Sequence, residues 1–180
     1  FLQLLIEQLQ TIDTNVPIYL ATGYKSEDIE DFIHETFPEI SIIRENTPLG
    51  TGGAIIHALN FIKQSNICVL NGDTIYSPAD LQNFWMHTGD DNFLFGCTVK
   101  DDTTRYGVID ELGSLTITKA PSDRSGSRVY TGISYLIGQK LTFNSNFVGS
   151  FESFISTQVL QSNEYQLVNF NDDFLDFGTP

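Results

Sequence analysis

"ENTPLGTGGAI", residues Glu45 to Ile55, carries three glycines in eleven residues and runs straight into a helix-like apolar pattern. Glycine at such a junction costs chain entropy, so a gain must offset it. The usual gain is close approach of a ligand to backbone N–H groups at a helix N-terminus. Before it, "ISIIRE" (Ile40–Glu45) reads as a strand; after it, a helix is predicted from about Gly52 to Lys63. Upstream, "PIYLA" (Pro17–Ala21) reads as a strand. Ser26 reads as the N-cap of a helix over "EDIEDFIHETF", which Pro38 closes. Downstream, "NICVLNGD" (Asn66–Asp73) reads as a third strand, its continuous apolar body predicting burial on both faces. Pro78 opens a helix running to about His87.

This βαβαβ order predicts an α/β chain with a parallel sheet and helices on both sides. Ligands then bind at the carboxyl ends of the strands. Gly50–Gly53 follow the second strand and Asn71, Gly72 and Asp73 end the third, so both features are expected on one rim. The second half is richer in strands: Phe93–Val99, Arg105–Asp110, Ser114–Lys119, Val129–Ile137, Gln166–Phe170 and Phe174–Phe177. A helix near Phe151–Leu160 interrupts them, with Ser150 as cap and Glu152 in its first turn. The chain starts inside an amphipathic helix, Phe1–Thr11, and stops at Gly178-Thr179-Pro180, a turn signal. No linker or repeat divides it. Residues 1–180 are expected to form one domain, incomplete at both ends, and no signal peptide is visible.

The 180 residues hold nine Lys and Arg against 23 Asp and Glu, a formal charge of −14. Such a chain repels nucleic acid, and no basic stripe argues otherwise. An anionic substrate would be held by backbone dipoles, a few cations or a bound hard cation such as Mg²⁺. No apolar run approaches a membrane span. Cys68 and Cys97 stand alone in apolar runs and read as core thiols, which suits a cytoplasmic protein.

Asp73 ends a strand whose body is apolar, so it faces the ligand rim. It can bind Mg²⁺ or a ribose hydroxyl, or cap a turn, since Asn-Gly-Asp is good turn chemistry. Asp176 is polar in the apolar strand "FLDFG" (Phe174–Gly178) and is a site candidate or an inward edge-strand charge. Two separated aspartates converging on one Mg²⁺ suit phosphoryl or nucleotidyl transfer. Lys119 ends a strand within reach of a phosphate or of water, and at Tyr106-Gly107 the glycine admits a sugar or a simple bend. His34, His57 and His87 lack partner spacing. Gly50-x-Gly52-Gly53 has a rival reading as a degenerate dinucleotide fingerprint, with Asp73 as the ribose acid, but Ile55 fills the third glycine position.

Taken together, "ENTPLGTGGAI", "VLNGDTIY", "RYGVID", "ITKA", "GISYL", "SFE" and "FLDFGTP" resemble the sugar-1-phosphate nucleotidyltransferases over almost the whole chain, in particular the branch acting on mannose- or heptose-1-phosphate, commonly guanylyltransferases. The resemblance implies a Rossmann-like, mixed, mostly parallel central sheet flanked by helices. It implies transfer of a nucleoside monophosphate from an NTP, GTP favoured, to a sugar-1-phosphate, releasing pyrophosphate with Mg²⁺ as cofactor. Glu45, Gly50, Thr51, Gly52, Gly53 and Asn71 would line the nucleotide site, Gly52 letting the base approach the backbone. Asp73 and Asp176 would bind the metal, and Lys119 would reach the sugar phosphate. Tyr106, Gly107, Gly132 and Glu152 would face the sugar. A homo-oligomer is compatible with the family.

The chain departs from the family pattern in places. The Gly-x-Gly-Thr-Arg…Pro-Lys element that cradles the triphosphate is absent, so the 180 residues are expected not to catalyse transfer alone. Thr118 replaces the usual Glu, and Tyr130 and Thr131 stand where Asn and a small residue are usual. These changes leave open a non-catalytic nucleotide-sugar-binding subunit of the same fold. A dinucleotide-dependent oxidoreductase is the remaining alternative.

Overall fold

A computed structural model of the protein describes residues 1–62, 66–89, 91–110, 116–119, 124–141, 144–158, 164–172 and 174–178. The first half contains α1 (Leu2–Ile12), β1 (Tyr19–Thr22), α2 (Ser26–Thr36), β2 (Ser41–Arg44), α3 (Gly50–Phe61), β3 (Asn66–Leu70), β4 (Thr74–Ile75) and α4 (Pro78–Met86). The second contains β5 (Phe93–Lys100), β6 (Gly107–Asp110), β7 (Thr116–Lys119), β8 (Ser127–Ile137), α5 (Phe151–Gln158), β9 (Tyr165–Asn169) and β10 (Leu175–Asp176). The backbone groups into two compact units. The first is Phe1–Thr14, Gln64–Leu141 and Ile155–Pro180; the second is Asn15–Lys63 and Thr142–Phe154.

The second unit holds the predicted βαβ turn of chain. β1 and β2 pair in parallel, Tyr19 opposite Ser41 through Thr22 opposite Arg44, with α2 as the crossover. Ile33, Ile43 and Ile56 are buried there. One expectation fails at the start of α2. Ser26 is the first helical residue, not the cap; Lys25 takes that place with φ of 54°. The Ser26 hydroxyl is buried and has no hydrogen-bond partner among the described residues. The left-handed turn at Lys25 starts the helix one residue early and carries Ser26 inward.

In the first unit the sheet order is β7-β6-β8-β5-β9, with β3 also on β8. Among the described residues only β5 and β9 pair in parallel there; β3, β5 and β6 all meet β8 antiparallel. The sheet is therefore mixed as expected, but the expectation of a mostly parallel one is corrected. The connections between β5, β6, β7 and β8 are too short for a crossover helix, and short connections join antiparallel neighbours. The third-strand expectation is also corrected in depth: Ile67 to Leu70 are half-buried, whereas Phe93, Leu94, Phe95, Val129 and Leu136 are fully buried. β3 has β8 on one edge and no other partner strand among the described residues, so it cannot be enclosed as β8 is.

β8 carries an irregularity. Phe95 faces Ser134 but Cys97 faces Tyr130, so Thr131 to Ile133 bulge out opposite Gly96. Gly132 makes this possible with φ of 86°, in the region that side chains disfavour. Beneath the sheet, the Phe170 ring meets Tyr76 and Phe84 edge-on at 5.7 and 6.2 Å. Cys97 is buried; Cys68 is half-buried, and desolvation pushes its thiol up to about 12, so it stays an inert thiol at neutral pH. No helix among the described residues is long and apolar enough to cross a membrane.

Candidate functional site

In the first unit, β3 ends in the turn Asn71-Gly72-Asp73, which is fastened on two sides. The Asn71 N–H donates to the carbonyl of Gly132 in the β8 bulge at 2.8 Å, and the Asp73 carbonyl accepts the Phe177 N–H at 2.8 Å. β10 lies antiparallel on β4, Asp176 opposite Thr74. The Gly178 N–H returns to Asp176 Oδ1 at 2.8 Å. A methyl group on Gly178 would stand 2.9 Å from Asp176 Oδ1 and 3.4 Å from Asp73 Oδ2. The two carboxylates thus face one point, and their oxygens are no farther apart than those distances together. The structure brings together the two aspartates that the sequence singled out.

The same corner holds groups that the sequence reading passed over. Tyr76, buried, donates its hydroxyl to the Thr131 carbonyl at 2.9 Å and so braces the bulge. Burial, with the neighbouring Tyr130 and the negative charges of Asp73 and Asp176, holds its phenol well above the ordinary range; a hydrogen bond with Thr74 opposes this. Tyr76 therefore remains a donor. Arg105 donates to the Gly178 carbonyl at 3.1 Å. Nothing in "RYG" alone points to that contact. Asp80, also buried, accepts from Ser77 Oγ and from two backbone amides at residues 171 and 172. The spacing Ser77-x-x-Asp80 is a capping-box signal that could have marked it.

The sugar-side candidates of this unit occupy varied settings. Gly132 lies at the crest of the bulge, where a side chain would strike the Asn71 amide at 2.8 Å. The Tyr106 ring meets Phe174 edge-on at 5.4 Å, two residues before Asp176. A side chain at Gly107 would strike Ile117 Cγ2 at 2.6 Å, so this glycine makes room for a core residue. The Lys119 backbone pairs with Gly107, and its side chain lies outside the described residues. Asp172 is exposed, and Asp173 lies outside the described residues.

In the second unit the glycine stretch opens α3. Glu45 Oε2 accepts the Leu49 N–H at 3.0 Å, closing the turn into the helix. Gly50 has φ of 74°. The N–H groups of Gly52 and Gly53 go to the Gly149 carbonyl at 2.9 and 3.3 Å, and the Gly149 N–H returns to the Leu49 carbonyl at 2.9 Å. Thr51 Oγ1 accepts the Phe151 N–H at 2.8 Å, at the start of α5. Side chains on Gly50 and Gly52 would run into the carbonyls of Gly149 and Ser150. The glycines therefore admit residues 149–151 of the same chain. The ends of α3 and α5 are cross-stitched, and Glu152 sits in the first turn of α5 with Ser150 Oγ capping Ser153 N–H at 3.2 Å.

Two carboxylates meet at one point in the first unit, and a glycine turn opens a helix in the second. A nucleotidyl transferase family model matches residues 1–122, and the chain belongs to that family. It is 29% identical over 171 residues to the D-glycero-alpha-D-manno-heptose 1-phosphate guanylyltransferase of Aneurinibacillus thermoaerophilus, covering 91% of this chain and 73% of that one. The same-named protein of Campylobacter jejuni is 29% identical over 187 residues, covering 100% and 81%. Among solved structures, HddC from Yersinia pseudotuberculosis complexed with GMP-PN superposes with a TM-score of 0.76 at 29% identity, covering 100% of this chain and 80% of that one. The inositol-1-phosphate CTP transferase of T. maritima, at 13% identity and a TM-score of 0.76, shares the fold. This membership makes the protein a nucleotidyltransferase and sets aside the dinucleotide-dependent oxidoreductase.

Proposed function

We propose that the protein transfers GMP from GTP to a mannose- or heptose-1-phosphate, forming a GDP-sugar and pyrophosphate in the cytoplasm. The observation that carries this reading is the convergence of Asp73 and Asp176 on one point beside Gly178. Two aspartates offer the hard oxygen donors that Mg²⁺ takes alongside substrate phosphates, so the residues fit that ion. When bound, Mg²⁺ would neutralise phosphate charge.

The chain's own residues then orient the reactants. An oxygen of the sugar phosphate attacks the α-phosphorus, and the bond to the bridging oxygen of pyrophosphate breaks, that oxygen keeping the electron pair. No covalent protein intermediate is required; alignment and charge stabilisation suffice. Glu45, with one carboxylate oxygen engaged by Leu49, keeps another for the N–H donors on a guanine edge, and Gly50 and Thr51 present backbone to the base. Asn71 would meet the nucleotide. Gly132, Tyr106, Gly107 and Glu152 would meet the sugar, and Lys119 its phosphate.

The test is pyrophosphate release by the complete protein, screening NTPs against sugar-1-phosphates with Mg²⁺. GTP with mannose- or heptose-1-phosphate should give the highest kcat/KM, and Asp73→Asn or Asp176→Asn should abolish turnover. Tight binding of a GDP-sugar without pyrophosphate release in any pairing would refute transfer and favour a binding subunit.

A further inference from the structure

Asp80 is a buried carboxylate with no cation paired to it among the described residues. Burying such a group is costly unless hydrogen bonds compensate. Here they come from Ser77 Oγ at 3.0 Å, the Asn171 N–H at 3.0 Å and the Asp172 N–H at 3.0 Å. Ser77 in turn caps the Asp80 N–H at 3.1 Å. An ordinary capping-box acid reaches back to the backbone N–H of its own cap residue. Asp80 instead receives the cap hydroxyl and extends its oxygens to a distant stretch of chain.

That stretch leads into β10. Its start is also held by the Phe170 N–H on the Cys97 carbonyl at 2.7 Å, and its end by the Phe177 N–H on the Asp73 carbonyl. The segment from Asp73 to Asp80 therefore clasps the segment from Asn171 to Phe177 at both ends: Asp80 grips the beginning and Asp73 the end. Between these clasps stands Asp176. We propose that Asp80 is a positioning residue of the proposed metal site, its carboxylate setting where Asp176 stands relative to Asp73. The inference rests on the reading of those two aspartates as metal ligands.

The charge and its two acceptor oxygens are both needed. In Asp80→Asn one oxygen would become an N–H₂ donor facing a backbone N–H, so one amide of the 171–172 pair would lose its acceptor. The Asp80 carboxylate bonds to Ser77 and the 171–172 amides, not to Asp176, so its loss acts by displacing β10, and a misplacement of about 1 Å in such a constellation costs up to about a hundredfold.

The experiment compares wild type and D80N of the complete protein in Mn²⁺ titrations followed by electron paramagnetic resonance in the presence of GTP. Amide exchange at Phe177, thermal unfolding and the Mg²⁺ dependence of pyrophosphate release are measured alongside. D80N should bind Mn²⁺ roughly tenfold more weakly, as a displacement of about half an ångström predicts, need correspondingly more Mg²⁺ for half-maximal rate, and exchange the Phe177 amide faster. High Mg²⁺ should restore most of its kcat. Mn²⁺ affinity and Phe177 exchange both within twofold of wild type would overturn the proposal. Should D80N not fold, Ser77→Ala leaves the carboxylate and removes one donor; a smaller loss of Mn²⁺ affinity is then expected, and none would overturn the idea. A wild type that binds Mn²⁺ but releases no pyrophosphate would sink the transferase reading, while the Mn²⁺ comparison would still decide the role of Asp80.

Discussion

Replacing Gly178 with alanine separates the geometry of the aspartate corner from the stability of the fold. The added Cβ would lie 2.9 Å from Asp176 Oδ1, and ordinary contacts for such an atom begin near 3.4 Å. The oxygen must therefore retreat by about 0.5 Å, or rotate away from the Gly178 N–H that it accepts. Asp73 Oδ2, at 3.4 Å, is just tolerated. The backbone itself gives no reason for strain, because Gly178 is not in the left-handed region. Alanine at a compatible position stabilises by about 0.4–1 kcal/mol through the unfolded chain. A misplacement of about 1 Å in a reacting constellation can cost about a hundredfold in rate, so half that shift predicts a loss of roughly tenfold in kcat at fixed Mg²⁺. The assay pairs steady-state pyrophosphate release, with Mg²⁺ varied, with a thermal melt. Activity should fall while Tm stays level or rises slightly. If kcat and the Mg²⁺ half-saturation both stay within twofold of wild type, Asp176 Oδ1 is not held where the reaction needs it, and the reasoning fails.

Two further substitutions probe the scaffold. Gly50→Ala combines a left-handed φ of 74° with a Cβ 2.5 Å from the Gly149 carbonyl oxygen; with about 1–2 kcal/mol for the backbone conformation alone, the unfolding free energy from urea titration should fall by more than that amount, and an unchanged value would show that the α3–α5 stitch is not tight. For Tyr76 the sign follows from a folded pKa raised above the ordinary 10.0. Its contribution is intact below pH about 10 and is lost above it, as the unfolded chain ionises first. Stability of wild type should therefore fall more steeply above pH 10 than that of Tyr76→Phe, and parallel curves would contradict a buried, un-ionised phenol.

Much of this architecture is legible in one dimension because it is local. Apolar periodicity, Pro78 at a helix start, Ser150 as a cap and acidic residues in the first turn of α2 all act within a few residues, and the structure has the corresponding helices. The parallel β1–β2 pair follows from a strand, a helix and a strand in order. Asp73 and Asp176 could be singled out because a carboxylate in an apolar strand or at its end has few reasons to be there.

Other features depend on partners far along the chain. The direction of the large sheet was settled by short connections and by the reach of β8, whose edges take β5 on one side and β6 and β3 on the other. No periodicity in β3 discloses that, among the described residues, only one of its edges carries a partner strand. The glycines of "PLGTGG" signalled close approach, but the described approach is by Gly149 and Ser150 of the same chain. Close approach looks identical in sequence whether a ligand or a carbonyl arrives, since glycine records only the space. Asp80, Tyr76 and Arg105 escaped notice for a related reason. Each makes its decisive bond to backbone far away in sequence, at residues 171–172, at Thr131 and at Gly178. A backbone N–H or carbonyl is present at nearly every residue and so leaves no mark in the side-chain alphabet. The βαβ order, the family and the two carboxylates can be read along the chain because each is written in side chains; the backbone groups that hold those carboxylates face to face are brought together by folding alone.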